Sequence, residues 1–461
     1  MDCISRKIIR TDRWLPALAL ALLLAGRVQA GSSPAKTDQV PFPDWVLGQF
    51  VWEDESTTES VRALVKGFQE NGIPIGGVII DSPWETAYNT FAVDPVRYPG
   101  MKQMIADLHS QGIKVIFWVT CMVNTDDPEY EFARSHGFLV PGLEKVKWWK
   151  GVGGLLDYRN PEAVAWWHQR MDQAIDLGID GWKVDGTDPL ALKKGWKFRE
   201  EYRKLYYSDF YNYTREHSGQ KTVIMARALE QVNEKTLGLP SWTNPWHCGF
   251  FLKFAPQDVS YMSWMGDQDP SFDGLRIALA NFLASARAGY LVVGTDVAGY
   301  RKGHTDKTLF IRWAQFGAFS PLLENGGIED HRPWSFDRET VEIYRKYAKL
   351  RATLNPWLME KAIAAYHQGR SLVTPLSEGK FEYLLGDDLL VAPIMRPDGK
   401  REVKFPEGSD WVWWFNGSTH VYKGGSALKK TFTLSEYPVY FRQGSSFEDF
   451  LATWAAMSFR H

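Results

Sequence analysis

Short apolar runs alternate with longer amphipathic stretches through most of the chain. "VLGQFVW" (46–52) predicts a strand, and "STTESVRALVKGFQENG" (56–72) repeats its apolar positions at helical spacing. "GGVIID" (76–81) predicts a second, buried strand. "PGMKQMIADLHSQG" (99–112) predicts an amphipathic helix stopped by Gly112, and "KVIFWV" (114–119) a third strand. After an interruption near 121–158, "PEAVAWWHQRMDQAIDLG" (161–178) opens a helix on a first-turn proline. "IDGWKVD" (179–185), "TVIMAR" (222–227), "VSYMSWMGD" (259–267), "YLVVGTD" (290–296) and "SPLLENGG" (320–327) bring the strands to eight. Helical patterns at 274–289, 309–319 and 337–354 follow the last three. Strand–helix alternation with Gly or Pro at the joints predicts parallel strands with helices outside. Eight such strands predict a (β/α)8 TIM barrel over 45–357. A doubly wound open sheet is the competing arrangement, but no glycine-rich phosphate turn of the dinucleotide kind is present.

The pattern changes over 358–461. "EYLLGDDLLVAPI", "REVKFP", "WVWWFNG" and "YPVYFRQG" are short strands between Gly, Pro and Asp turns, which predicts a small C-terminal all-β sandwich domain. At the other end, Arg6, Lys7, Arg10 and Arg13 precede the apolar "LPALALALLLAG" and the small-x-small "VQA". This predicts a signal peptide over 1–30, cleaved after Ala30, then a linker over 31–44, and a secreted or periplasmic protein. The apolar run is short for a membrane span, and no other segment reads as one. Cleavage removes Cys3 and leaves Cys121 and Cys248, expected as two separate thiols rather than a disulfide framework.

The formal net charge is -2, which gives no reason to expect nucleic acid as a partner. Aromatic residues reach 14%, with 21 Trp, a surplus that fits the stacking of flat sugar faces on rings. No His/Cys/Glu cluster has metal-ligand spacing, and neither G-x-S-x-G nor a P-loop occurs. No metal or organic cofactor is expected. The oligomeric state is left open.

Catalytic groups of a barrel sit at the C-terminal ends of its strands. Here those ends carry Asp81, Asp185, Arg227, Asp267 and Asp296. A single aspartate there reads as a helix cap. Five polar residues on separate strands converge on one pocket. Paired carboxylates without a metal, among many aromatics, point to cleavage of a glycosidic bond. One carboxylic acid protonates the leaving oxygen, and a second carboxylate attacks the sugar carbon or activates water. Lys183 beside Asp185 favours the ionised form that a nucleophile requires.

These segments resemble glycoside hydrolase family 31 over nearly all of the predicted mature chain. "GWKVDGTDP" is similar to the family's nucleophile segment, which makes Asp185 the nucleophile and Asp188 the second acidic residue. "SWMGDQDPSFDGL" is similar to the acid/base segment, which makes Asp267 the general acid/base and places Trp264 in the pocket wall. "GYLVVGTDVAGY" matches through Asp296 and Gly299. "WWKGVGGLLDYRNP" places Trp149 at the border of the sugar site. Asp81 and Arg227 fall where the family holds sugar hydroxyls, and Lys183 is a further substrate-binding candidate or an ion-pair partner of Asp185. Three departures bear on the sugar. Members usually have a long N-terminal β-domain, and only a short stretch precedes the first strand here. The last strand ends "LLENGG", with Glu324 in the place of an arginine and Gly326 in that of a histidine; His331 is the candidate to supply the lost contact. The loop between Arg227 and Asp267 is long, and its "SWTNPWHCGF" (241–250) is aromatic. The resemblance implies a retaining α-glycosidase acting on a carbohydrate. Transglycosylation from the same intermediate, or a non-catalytic carbohydrate-binding protein on such a barrel, remain the alternatives.

Overall fold

A computed structural model describes residues 40–231, 251–376, 381–415 and 420–458. The expected signal peptide, most of the expected linker, the 241–250 stretch and Cys248 lie outside the described residues.

The eight barrel strands are β1 (Gln49–Val51), β2 (Gly77–Ile80), β3 (Lys114–Val119), β4 (Gly181–Val184), β5 (Val223–Arg227), β6 (Met262–Trp264), β7 (Val293–Asp296) and β8 (Leu322–Asn325). They pair in parallel in chain order, and the barrel closes where Gln49 of β1 aligns with Leu323 of β8. Near-continuous apolar runs such as Val78, Ile79 and Ile80 fit strands covered on both faces. Helices α1 (Thr58–Glu70), α2 (Met101–Ser110), α3 (Pro161–Ile175), α4 (Trp196–Ser218), α5 (Phe272–Arg287), α6 (Lys307–Ala318) and α7 (Arg338–His367) accompany the strands. Local chemistry starts them: Thr57 and Ser60 form a capping box, and Asn160 caps α3 just before Pro161.

Three features differ from the sequence pattern. The interruption after β3 folds into a small antiparallel sheet of Met122–Asn124, Gly151–Leu155 and Val146–Trp148. β6 stops at Trp264 instead of running to Asp267, because Gly266 adopts φ +76° and turns the chain out of the strand. The helical pattern of 337–354 runs on to His367 with Pro356 inside it, across the expected domain boundary. Beyond it, antiparallel strands form a six-stranded sheet and a two-stranded ribbon. Arg312 of α6 ties this all-β region to the barrel by donating to the carbonyl oxygens of Phe432, Thr433 and Glu436 at 2.9, 3.0 and 2.8 Å. Among the described residues, no helix is long and apolar enough to cross a membrane.

Candidate active site

The floor of the site is a buried charge cluster at the C-terminal mouth of the barrel. Lys183 of β4 places Nζ 3.1 Å from Asp81 Oδ2 and 3.5 Å from Glu324 Oε1. The Trp52 ring covers the ammonium at 3.7 Å. Burial would lower the Lys183 pKa, but Asp81, Glu324 and Asp296 outweigh it, so the amine is held charged and its pKa raised. Asp296 accepts from Trp52 Nε1 at 3.2 Å. Burial, then the neighbouring Glu324 carboxyl, push Asp296 well above the usual carboxylate range. Burial also raises Glu324, against the pull of Lys183. Two adjacent buried carboxyls cannot both ionise cheaply, so this pair retains a proton.

Above the floor, Arg227 of β5 joins three carboxyl groups. Its Nε donates to Asp185 Oδ1 at 2.6 Å, its Nη1 to Glu230 Oε1 at 2.8 Å and its Nη2 to Asp267 Oδ1 at 3.0 Å. Asp185 also accepts from the Gly186 amide at 2.7 Å and from Trp118 Nε1 at 3.2 Å. Burial would raise the Asp185 pKa, but the charge and hydrogen bond of Arg227 prevail and hold it below the usual range. The counter-cation of Asp185 is therefore Arg227, on the next strand, while Lys183 pairs with Asp81 and Glu324. Glu230 is pushed up to about 7, chiefly by burial. The Asp267 side chain is 29% exposed and the Asp185 side chain 8%, so Asp267 is the more open of the two to solvent.

Behind Asp185, Tyr206 Oη donates to the Asp185 carbonyl at 2.7 Å. Asp188 is fully buried 2.7 Å from Arg199 and takes a bond from Tyr207, which anchors the segment following the nucleophile candidate. Cys121 is buried beside Thr187, and burial pushes its thiol up to about 12. Such a thiol is structural.

Asp81, Trp149, Lys183, Asp185, Arg227, Trp264, Asp267 and Asp296 all line one cavity of about 840 Å³. His331 stands apart. It lines a separate cavity of about 300 Å³ with Asp54 and Asn325, and burial lowers its pKa to about 4. Trp52 borders both cavities. Sequence reasoning missed Trp52, Trp118 and Glu230. Trp52 directly follows β1 and Trp118 is the penultimate residue of β3, and reading aromatic as well as charged residues near strand ends would have found them. Glu230 gave no signal, because it lies on the short strand Leu229–Gln231, paired with Phe251–Lys253. Among the described residues, no group of three or more His, Cys, Asp and Glu is arranged to hold a metal ion.

The family model described as "Glycosyl hydrolases family 31 TIM-barrel domain" matches residues 39–361, and "Glycosyl hydrolase family 31 C-terminal domain" matches 368–446. The chain belongs to glycosyl hydrolase family 31. Among curated members, it is 28% identical over 439 residues to Alpha-glucosidase 2 of Bacillus thermoamyloliquefaciens, covering 89% of this chain and 54% of that protein. It is 24% identical to an Alpha-xylosidase of Emericella nidulans over 87% of this chain and 53% of that protein. It is 25% identical to the Sulfoquinovosidase of Escherichia coli over 91% and 63%. The chain thus spans roughly half to two thirds of the length of these relatives. A family 31 alpha-xylosidase from a soil metagenome, solved with xylose, superimposes with a TM-score of 0.74 at 20% identity, over 89% of this chain and 65% of that one. A Flavobacterium johnsoniae family 31 dextranase, solved with glucose, gives 0.74 at 21% identity, over 87% and 52%. At these identities the superpositions establish the fold of this family 31 chain.

Proposed function

We propose that this chain is an exported retaining α-glycosidase. Asp185 attacks the anomeric carbon of a terminal α-linked sugar and forms a glycosyl-enzyme intermediate. Asp267 protonates the departing oxygen, then takes a proton from the water that releases the sugar. The reading rests above all on Arg227, one guanidinium bonded to both carboxylates. Retaining pairs stand about 5–5.5 Å apart, whereas inverting pairs leave about 6.5–9.5 Å for an intervening water. A cation shared by both groups draws them together and favours the retaining case. It also keeps Asp185 ionised, as a nucleophile must be. The charged floor of Asp81, Lys183 and Asp296 offers donors and acceptors to the hydroxyls of the bound sugar. The relatives named alpha-glucosidase, alpha-xylosidase and sulfoquinovosidase support a glycoside as substrate.

The test is a panel of aryl α-glycosides (gluco, galacto, xylo and N-acetylgalactosamino) run on the wild type and on Asp185→Asn. At least one is cleaved by the wild type, with retention by NMR, and Asp185→Asn loses activity on the order of 10⁴-fold. Turnover unaffected by Asp185→Asn removes the nucleophile assignment. Sugar bound without turnover across the panel favours a binding protein. Product analysis with added sugar acceptors separates hydrolysis from transglycosylation.

A further inference from the structure

The cavity mouth has a charge character that the reaction does not require. Two segments form one side of it, "EKVKWWK" (144–150) and "LKKGWK" (192–197). The first runs through the strand Val146–Trp148 of the small sheet, and the second leaves the short 3-10 helix Asp188–Lys194 that follows β4. The loop leading into the first segment approaches the second: a Cβ added at Gly142 would come within 3.3 Å of Lys194 Nζ.

Trp149 and Lys150 from the first segment, and Lys193 from the second, line the cavity itself. Trp149 is 53% exposed. Its ring is braced edge-on by the buried Trp148 at 5.1 Å, and Trp148 is in turn fixed by a 2.7 Å bond from Nε1 to Asn124. An exposed indole held this firmly offers a flat stacking face. Among the described residues, neither Lys150 nor Lys193 has a carboxylate within ion-pair distance. Lys150 instead lies over the Tyr88 ring at 5.5 Å and feels Asp54 only at longer range. Across the mouth, Arg301 is already partnered, with Nε 3.2 Å from the Asp267 carbonyl and 3.7 Å from Asp269 Oδ1, so the uncompensated charge rests on the two lysines. The chain as a whole carries a net charge of -2, so this local excess of cations is not inherited from its composition.

A terminal sugar seated between Asp185 and Asp267 turns its free hydroxyls toward the floor. Its glycosidic bond, and whatever lies beyond it, points to the mouth. We propose that this leaving-group side accepts an anionic glycan or glycoconjugate. Its sulfate, carboxylate or phosphate is met by Lys150 and Lys193, while a neighbouring sugar face stacks on Trp149. The direction of the substrate rests on the glycosidase reading; the presence of an anion site does not.

Binding is measured first, on the full chain carrying Asp185→Asn, with three probes of matched length: a sulfated dextran oligosaccharide, an oligogalacturonate and a neutral dextran oligosaccharide. Comparing the first two distinguishes sulfate from carboxylate as the preferred anion. At least one anionic probe binds more tightly than the neutral one. Adding Lys150→Gln and Lys193→Gln weakens that probe by roughly five- to tenfold. The preference also fades in 1 M salt, where screening shortens to about 3 Å. Lys102→Gln, on the exposed side of α2, serves as the charge control and retains the preference. Equal binding of all three probes, or unchanged anionic binding after both lysine substitutions, overturns the proposal. Turnover then tests the direction: aryl α-glycosides with anionic and neutral aglycones of matched leaving-group pKa differ in KM in the wild type, and the double lysine variant removes that difference. An anionic preference in binding but not in aglycone KM places the anion elsewhere and overturns the leaving-group assignment. Anion binding without any turnover would fail the hydrolase reading and leave the anion site standing.

Discussion

Arg227 Nε lies 2.6 Å from Asp185 Oδ1, a closer contact than any other cation makes with this carboxylate. The charge of Arg227, then this bond, lead the effects that keep Asp185 ionised although its burial favours the acid form. A depressed carboxylate pKa leaves Asp185, the proposed nucleophile, ionised to below the usual aspartate value of about 3.9. Its charge is lost only as pH falls through the lowered folded value. Arg227→Met removes the opposing charge and leaves the burial, so the Asp185 pKa rises. The acid limb of kcat/KM moves to higher pH, and the plateau falls on the order of 100-fold through lost charge-assisted bonds. An acid limb that stays in place in the variant would show that Arg227 does not control Asp185.

Glu230 shares the same guanidinium and titrates in the opposite sense. Its pKa is raised to about 7 in the fold, against about 4.3 for a free glutamate. A raised carboxylate means that the folded state holds a proton the unfolded state has released. Its contribution to stability is full below about pH 4 and is lost as pH rises toward 7. Glu230→Gln has no such proton to lose. Thermal melts are therefore expected to show the variant gaining on the wild type between pH 4 and pH 8. A constant difference in Tm across that range would count against a shifted Glu230.

Much of this arrangement was legible in the sequence. Short continuous apolar runs between amphipathic stretches marked all eight barrel strands, because a barrel strand is covered on both faces and its helix on one. Asp81, Asp185, Arg227 and Asp296 were visible because charge at the exit of such a run has no packing role. The partners of those charges were not visible. Lys183 stands two residues from Asp185, yet its ammonium reaches across to Asp81 on β2 and Glu324 on β8. Which strand faces which across a closed barrel depends on its register, not on neighbours in the chain. His331 shows the same limit. Six residues past the end of β8 was a reasonable reach for a replacement ligand, but the turn buries its ring in the adjoining cavity.

Lys183 is the cation that makes the buried floor tolerable. Its folded pKa is raised, so its charge persists throughout the pH range of ordinary assays and is lost only in strong alkali. Lys183→Met leaves Asp81, Asp296 and Glu324 without a buried counter-charge, which costs about 3–5 kcal/mol. The loss shrinks at low pH, where Asp296 and Glu324, already raised by burial, take up protons. Chemical denaturation at pH 5 and pH 8 checks this: the destabilisation is larger at pH 8. Equal losses at the two values would mean that the carboxyls do not respond to the ammonium.

Gly266 is the backbone position on which the acid/base assignment depends. It adopts φ +76°, where a side chain is strained, and a Cβ there would meet Glu230 Oε1 at 1.8 Å and Arg227 Nη1 at 2.5 Å. Neither group can withdraw freely, since Arg227 is held at the same time by Asp185 and Asp267. Gly266→Ala must displace Arg227 and Glu230, or straighten the turn that carries Asp267 past the end of β6. Either movement misplaces Asp267, the proposed proton donor, relative to Asp185. The expected loss is about 10²–10⁴-fold in kcat for a substrate with a poor leaving group. A fluoride or dinitrophenolate, which departs without protonation, loses less in the glycosylation step. The ratio of the two losses, measured beside the Tm of the variant, separates a displaced acid from general unfolding. Equal losses on both leaving groups would place the damage on Arg227 and Asp185 instead.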